Sequence, residues 1–156
     1  MAAVKFVPDG YHTATPYLIL NDAAAEFYTQ ASDAAELMRL PDHSGKIGHA
    51  EIKIGNSVIM LADEAPDWGC RSPQSLGGTP VSIMLYVEDA DTTFNRAVKA
   101  GAKPLRPMED KFYGDRAGTL EDPYGHQWHL ATHTEDLSAE ALQQRFDAFM
   151  KQQLNG

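Results

Sequence analysis

Two histidines and one carboxylate of this chain have the side-chain types and spacing of a small metal centre. His49 and Glu51 are separated by one residue in an alternating segment, so both side chains fall on one face of a strand. His129 lies in a second such segment near the end of the chain. Two imidazoles and a carboxylate can hold a divalent ion such as Zn, Ni, Mn or Fe and leave positions open for substrate. These three residues are therefore candidate metal ligands, and Glu51 and His129 are candidate catalytic groups. The alternative is a strand that simply displays them to solvent.

A second segment with chemical potential is 112–116, which reads FYGDR. It places a phenol, a carboxylate and a guanidinium close together, and such groups can fix a polar ligand through directional hydrogen bonds. Tyr113 and Arg116 are therefore candidate ligand-binding residues. Asp115 and Arg116 can equally pair with each other or cap neighbouring turns, and the sequence leaves both interpretations open.

Alternation within the strands separates an aliphatic face from a mixed face that suits a pocket. In segment 81–87 the aliphatic residues Val81, Ile83, Leu85 and Val87 form one set, which is expected to pack on helices. Met and Tyr side chains on the opposite face would give an adaptable, amphipathic wall. The candidate lining residues of this mixed face are Thr15, Tyr17, Met60, Ser82, Met84 and Tyr86.

The elements that must position these residues occur twice along the chain. An apolar run closes at Asp22 and another at Asp89, and each Asp is placed to cap the helix that follows it. A short strand follows each helix, at 36–39 and at 104–107. A hairpin then follows in each half. In the first, strands at 49–54 and 57–61 flank a Gly55-Asn56 turn, and in the second, strands at 113–120 and 127–132 flank an Asp-Pro-Tyr-Gly turn at 122–125.

Both halves therefore read strand, helix, strand, strand, strand, which predicts a single α+β domain of two βαβββ modules. We expect module 1 at about 11–63, a Pro- and Gly-rich linker at 64–79 and module 2 at about 80–133. A final helix is predicted at 138–154, with Ser138 as its cap and an apolar stripe of Leu142, Phe146, Phe149 and Met150. The stripe suits packing on the same domain or a dimer contact.

Composition narrows the classes of partner. The 156 residues carry a formal net charge of −9 and no basic run, which argues against nucleic acid as a partner. No apolar stretch approaches the roughly 20 residues of a membrane span, and the first residues lack a signal-peptide core. The one cysteine excludes an internal disulfide and a cysteine-based zinc site. We therefore expect a cytoplasmic protein without a membrane anchor.

Several of these segments together resemble the vicinal oxygen chelate (glyoxalase/bleomycin-resistance/dioxygenase) superfamily, in its PhnB-like branch. The resemblance covers roughly residues 10–135, and FYGDR followed by DPYGH is typical of that branch. The other segments that carry it are TPYLILNDAAAEFY, ELMRLPD, HAEIKIGNSVIMLADE and PVSIMLYVEDADTTFNRAVKAGA. It implies curved mixed sheets that enclose a cavity, usually in a homodimer.

In metal-dependent members of the superfamily, four ligands come from the first and last long strands of each module. The resemblance places these positions on Thr15, Glu51 (or His49), Ser82 and His129. Only Glu51 and His129 of that set ligate metals well, so the resemblance implies a degenerate metal site. Some relatives carry a ubiquinone-pathway methyltransferase label, but the Gly-rich strand-to-helix turn expected of a methyl-donor site is missing from the sequence.

Two functions from different classes follow. In the first, the chain binds a small organic ligand, with Tyr17, Met60, Met84 and Tyr86 lining the cavity and Tyr113 and Arg116 fixing polar groups. In the second, it is a metal-assisted lyase or isomerase, or a dioxygenase-type enzyme, with the reduced ligand set His49, Glu51 and His129. The first is the preferred hypothesis.

Overall fold

Two four-stranded sheets, each built from one half of the chain, form the framework. The computed structural model describes residues 4–21 and 26–155. The strands are β1 (Tyr17–Leu20), β2 (Ala35–Pro41), β3 (Ile47–Ile54), β4 (Ser57–Asp63), β5 (Ser82–Tyr86), β6 (Lys103–Asp110), β7 (Asp115–Glu121) and β8 (Gln127–His133). The helices are α1 (Glu26–Ser32), α2 (Pro73–Leu76), α3 (Ala90–Lys99) and α4 (Ala139–Leu154).

The two sheets have the same topology. The strand order is β1-β4-β3-β2 in the first and β5-β8-β7-β6 in the second. In each sheet the first strand runs parallel to the last, while the remaining pairs are antiparallel. The sequence prediction of an α+β fold with two βαβββ modules and a C-terminal helix is confirmed.

Helix α3 packs on the second sheet and contacts α1, and the buried side chains of α1 belong to the same core as those of the first sheet. The shared core contains buried side chains of both sheets and helices, among them Leu20, Ile52, Phe94 and Leu130. Alternation along β1 explains this burial, because Leu18 and Leu20 are buried while Tyr17, the first residue of the strand, is exposed. The opposite face of each sheet, which we call the open face, is the one that carries the mixed side chains.

Capping residues define the helix starts. The Asp89 carboxylate accepts a 3.0 Å hydrogen bond from the backbone N–H of Thr92, which confirms Asp89 as the cap of α3. Ser138 accepts from the N–H of Ala141 at 3.1 Å and caps α4. The predicted cap Asp22 lies outside the described residues.

Three boundaries differ from the sequence expectation. The strands predicted at 36–39 and 104–107 extend over the whole of β2 and β6, where register shifts let each long strand follow its neighbour. The hairpin strand expected from Tyr113 begins instead at Asp115, because the N–H of Gly114 bonds the carbonyl of Lys111 in a tight turn. The linker contains a 3₁₀ turn at Pro66–Trp68 and the short α2. Within the described part of the chain, no helix has the length and apolar character needed to cross a membrane.

Candidate functional site

A row of paired residues crosses the open face of the first sheet. Tyr17 of β1 lies beside Met60 of β4, Met60 beside Glu51 of β3, and Glu51 beside Met38 of β2. Tyr17 is 49% exposed and Met38 is 40% exposed, whereas Glu51 retains only 7% exposure. The row therefore presents apolar and phenolic surface around a buried carboxylate.

The Glu51 carboxylate is bonded on both of its oxygens. The hydroxyl of Tyr11 donates to Oε2, and Nε2 of His49 lies 3.0 Å from Oε1. The hydrogen bond from Tyr11 and then that from His49 lower the pKa of Glu51 below its ordinary value, so the group is ionised at neutral pH. His49 in turn contacts the Tyr17 hydroxyl through Nδ1 at 2.8 Å. Four side chains of the open face thus form one continuous chain of hydrogen bonds.

The open face of the second sheet carries a matching row. Met84 of β5 lies beside His129 of β8, His129 beside Thr119 of β7, and Thr119 beside Arg106 of β6. His129 contacts the hydroxyl of Ser82 through Nε2 at 3.0 Å and that of Thr119 through Nδ1 at 2.8 Å. Burial, followed by the nearby positive charges of Arg106 and Lys111, lowers the pKa of His129.

The pairings of β1 with β4 and of β5 with β8 show that Glu51 and His129 do not occupy equivalent positions in the two modules. Met84 pairs with His129 in the second sheet, and Tyr17 pairs with Met60 in the first. The last-strand position of module 1 that corresponds to His129 is therefore Met60. Glu51 lies one strand further in, on β3, where it corresponds to Thr119 through the β3–β4 and β7–β8 pairings. A thioether is a poor ligand for a hard divalent ion, so this position favours apolar contact.

The structure allows a direct test of how the predicted ligand set fits a metal. Among residues 4–21 and 26–155, no three His, Cys, Asp or Glu side chains are grouped so that they could hold an ion. His49 and Glu51 are hydrogen-bonded to each other, and both nitrogens of His129 contact hydroxyl groups. In the described part of one chain, His49, Glu51 and His129 are therefore not brought together as a group of three potential ligands.

The second open face also contains a polar cluster that sequence reasoning missed. Asp115, at 3% exposure, accepts from the Tyr86 hydroxyl at 2.9 Å and is 2.7 Å from Nδ1 of His133. The other His133 nitrogen lies 2.9 Å from Asp136. Hydrogen bonding to Asp115 and then to Asp136 raises the pKa of His133. Alternation along β7 places Asp115 on the face of Thr119, a signal that was present in the sequence.

Arg116 is held on the opposite side of β7. Its guanidinium bonds the Asp91 carboxylate of α3 at 2.5 and 2.9 Å and contacts Asp110 at 3.3 Å. These carboxylates, Asp91 first, raise the pKa of Arg116. Arg116 therefore pairs with Asp91 and not with Asp115, and the guanidinium faces a helix instead of the open face. Tyr113 lies in the β6–β7 turn, where Phe112 packs edge-on against its ring.

A groove of about 710 Å³ lies between β1 and β5, the adjacent edge strands of the two sheets. Thr15, Tyr17, Ser82 and Met84 all line it, so the predicted lining residues of both modules meet there. Met84 is 40% exposed. Met60 pairs with Tyr17 across β1 and β4 but is not among the lining residues, and Tyr86 lies further along β5, also outside the lining.

Two βαβββ modules with polar open faces define a class of α+β proteins, and comparison with known proteins identifies the family. The model of the Glyoxalase/Bleomycin resistance protein/Dioxygenase superfamily matches residues 21–130. The chain belongs to this superfamily. An uncharacterized protein of Mycobacterium bovis is 42% identical over 134 residues, which cover 83% of this chain and 88% of that protein.

Solved structures support the fold. TioX from Micromonospora sp. ML1 superimposes with a TM-score of 0.61 at 24% identity, covering 81% of this chain and 100% of TioX. A Bacillus cereus protein described as a putative 3-demethylubiquinone-9 3-methyltransferase, PhnB protein, superimposes with a TM-score of 0.57 at 20% identity, covering 78% and 99%. Both likenesses concern the fold alone.

Proposed function

We propose that this chain is a PhnB-like member of the superfamily that binds a small organic ligand between its two modules. The observation that carries the proposal is the groove of about 710 Å³ in which Tyr17 and Met84 stand partly exposed. Its size lies within the range of small-molecule pockets. A phenol on one wall and a thioether on the other suit a ligand with an aromatic or apolar body.

The polar groups of the open faces supply orientation. The buried Glu51 holds His49, and His49 holds the Tyr17 hydroxyl at the edge of the groove. Ser82, on the opposite wall, is fixed by His129. These contacts preorganise the polar edge of the site, which reduces the entropy lost on binding. We do not propose a methyltransferase activity, because the sequence contains no Gly-rich segment between a strand and the helix that follows it, as a methyl-donor site would require.

A ligand screen tests the proposal. We expect small apolar-aromatic compounds to raise the thermal unfolding temperature of the purified protein, and the replacement Met84→Ala to weaken binding. Loss of a buried side chain of this size corresponds to roughly a tenfold loss of affinity. The matched control is Leu154→Ala, which removes an exposed apolar side chain at the end of α4. Equal weakening by both variants, or no binder in the screen, contradicts the proposal.

The second candidate is a metal-assisted lyase or isomerase. One observation favours it: an ionised, buried carboxylate lies 3.0 Å from an imidazole on the same open face. Elemental mass spectrometry of protein purified without chelator separates the two functions. We expect background metal, unchanged by His129→Ala. One divalent ion per chain that is lost on His129→Ala supports the enzyme and contradicts the binder.

We further propose that the protein is a cytoplasmic homodimer. The apolar stripe of α4 supports this assembly, because Leu142, Phe146, Phe149 and Met150 remain partly exposed although Phe112 packs on Phe146 and Phe149. Light scattering coupled to size exclusion measures the mass directly. A monomer at micromolar concentration contradicts the assembly.

A further inference from the structure

The direction of the hydrogen bond between Tyr17 and His49 is fixed by the carboxylate of Glu51, which bonds the other nitrogen of His49. The carboxylate of Glu51 has no proton to give, so Nε2 of His49 must donate to it. A neutral imidazole carries one N–H, which leaves Nδ1 as an acceptor. Nδ1 therefore accepts the proton of the Tyr17 hydroxyl, 2.8 Å away. The phenolic oxygen of Tyr17 then offers only lone pairs to the groove.

Tyr11 strengthens this assignment. Its hydroxyl donates to the second oxygen of Glu51, so both carboxylate oxygens are engaged by side chains of the same chain. Glu51 is nearly inaccessible to solvent, at 7% exposure. A buried carboxylate held from both sides keeps its neighbours in one arrangement, since turning His49 over would leave a charged acceptor unsatisfied.

The second module repeats the direction with different residues. The Tyr86 hydroxyl donates to the buried carboxylate of Asp115 at 2.9 Å, and His133 occupies the other oxygen of that carboxylate. Tyr86 is exposed on its open face, and its hydroxyl proton is already donated to Asp115. Both open faces thus carry an exposed phenol whose proton is donated within the chain, and of the two it is Tyr17 that lines the groove.

From this geometry we infer that the ligand is an aromatic or apolar molecule that presents a hydrogen-bond donor, a hydroxyl or amino group, to the Tyr17 oxygen, and that an acceptor-only group is disfavoured there. The inference rests on the proposed function and specifies the ligand class of that site. Arg71 also lines the groove, so the inference concerns the group placed at the Tyr17 oxygen and not the charge of the whole ligand. A carboxylate or phosphate at Tyr17 faces an oxygen lone pair with no proton between them, which is repulsive. A hydroxyl at the same place completes the chain of hydrogen bonds.

Three probes with one aromatic body test the inference: 2-naphthol, 2-methoxynaphthalene and 2-naphthoate. Binding is measured by fluorescence titration at about pH 8, above the range in which imidazole ordinarily titrates. We expect 2-naphthol to bind roughly three- to tenfold more tightly than either of the other two probes, the worth of one hydrogen bond. The variant Tyr17→Phe is expected to abolish that preference while retaining the apolar contacts, and Tyr86→Phe, outside the groove, is expected to leave it unchanged.

A second variant separates hydrogen-bond direction from simple packing. His49→Phe keeps a ring beside Tyr17 but removes its acceptor, which frees the Tyr17 proton. We expect 2-methoxynaphthalene and 2-naphthoate to gain affinity relative to 2-naphthol in this variant. Equal or tighter binding of the anion to the native chain overturns the inference and leaves the proposed function intact. Failure of all three probes to bind overturns the proposed function itself.

Discussion

The hydroxyl of Tyr28 donates a 2.8 Å hydrogen bond to the carboxylate of Asp122, 94 positions further along the chain. Tyr28 belongs to α1 and Asp122 to the turn between β7 and β8, so this bond joins the two modules. Asp122 is 3% exposed and also accepts from Nε1 of Trp128 and from the N–H groups of Tyr124 and His126. Burial and the Asp122 charge raise the pKa of Tyr28 well above its ordinary value. One carboxylate thus organises a turn and the inter-module core together.

Replacing Asp122 with Ala is expected to destabilise the protein by about 2–4 kcal/mol, because several donors lose a charged acceptor in a buried place. Urea denaturation followed by circular dichroism measures the change. Asp42→Ala is the matched control, since Asp42 forms the same kind of turn in module 1 but is exposed. We expect the control to cost clearly less, because the groups that bond Asp42 are exposed and can bond water instead. Equal costs would show that burial of Asp122 and its bond to Tyr28 add nothing to stability.

The two histidines of the second open face are expected to titrate on opposite sides of the ordinary value of about 6.5. The hydrogen bonds to Asp115 and then to Asp136 raise the pKa of His133, so its protonated form favours folding. That contribution is fully present below the unfolded pKa and is lost as pH rises through the folded pKa. Burial, followed by the charges of Arg106 and Lys111, lowers the pKa of His129. Protonation of His129 therefore opposes folding, and stability is lost as the pH falls below the unfolded pKa.

Imidazole NMR titration measures both values in one sample. Asp115→Asn is expected to bring the pKa of His133 down toward the ordinary value, because it removes the charge that contributes most. His129, which responds to other groups, should change little in that variant and serves as the internal control. A His133 that titrates below His129 in the native chain contradicts the hydrogen bonding to Asp115.

Gly114 is expected to tolerate no side chain. Its φ of +88° is left-handed, and a Cβ at this position would meet the backbone carbonyl of Glu135. Gly114→Ala should therefore cost about 2–4 kcal/mol, from backbone strain and the clash together. Gly55→Ala is the control, because Gly55 has a φ of +57° with open space around its Cβ direction, and the cost there should be about 1 kcal/mol. Thermal unfolding of the two variants measures the loss of stability. A larger loss for Gly55→Ala than for Gly114→Ala contradicts the close approach of Gly114 to the Glu135 carbonyl.

Arg116 is expected to matter for stability and not for ligand affinity. Its two bonds to Asp91 join β7 to α3, and the guanidinium is partly exposed to solvent. Arg116→Met should therefore lower the unfolding temperature only slightly and leave the binding of any ligand found for the groove unchanged. Parallel unfolding and titration experiments on this variant test both halves. A loss of affinity comparable to that of Met84→Ala would restore Arg116 as a ligand-binding residue.

Much of the fold was accessible from the sequence because its signals are local. Alternation in β3 separates Ala50, Ile52 and Ile54 from the face of Glu51, and the structure buries the aliphatic set in the core. The hairpin turns at 55–56 and 122–125 and the cap at Asp89 depend on backbone preferences of a few neighbouring residues. The family resemblance adds the arrangement of two modules, which the family match confirms.

The candidate site was only partly accessible. Sequence reasoning placed Tyr17, Met84 and Ser82 on pocket faces, and all three line the groove. It also matched Glu51 to His129, whereas the register gives that place to Met60. A strand pattern reports which face a side chain occupies but contains no information on which residue of the neighbouring strand lies beside it.

Periodicity and turn propensity are local, so the order of the elements, the face of each strand and the residue types available for chemistry could be predicted before the fold was known. The hydrogen-bond partners could not be predicted in this way: Arg116 with Asp91, Asp115 with Tyr86 and His133, and Glu51 with Tyr11. Each of these pairs joins segments distant in sequence. Their meeting depends on strand register and helix packing, which are set by the summed burial of the core and by no local pattern.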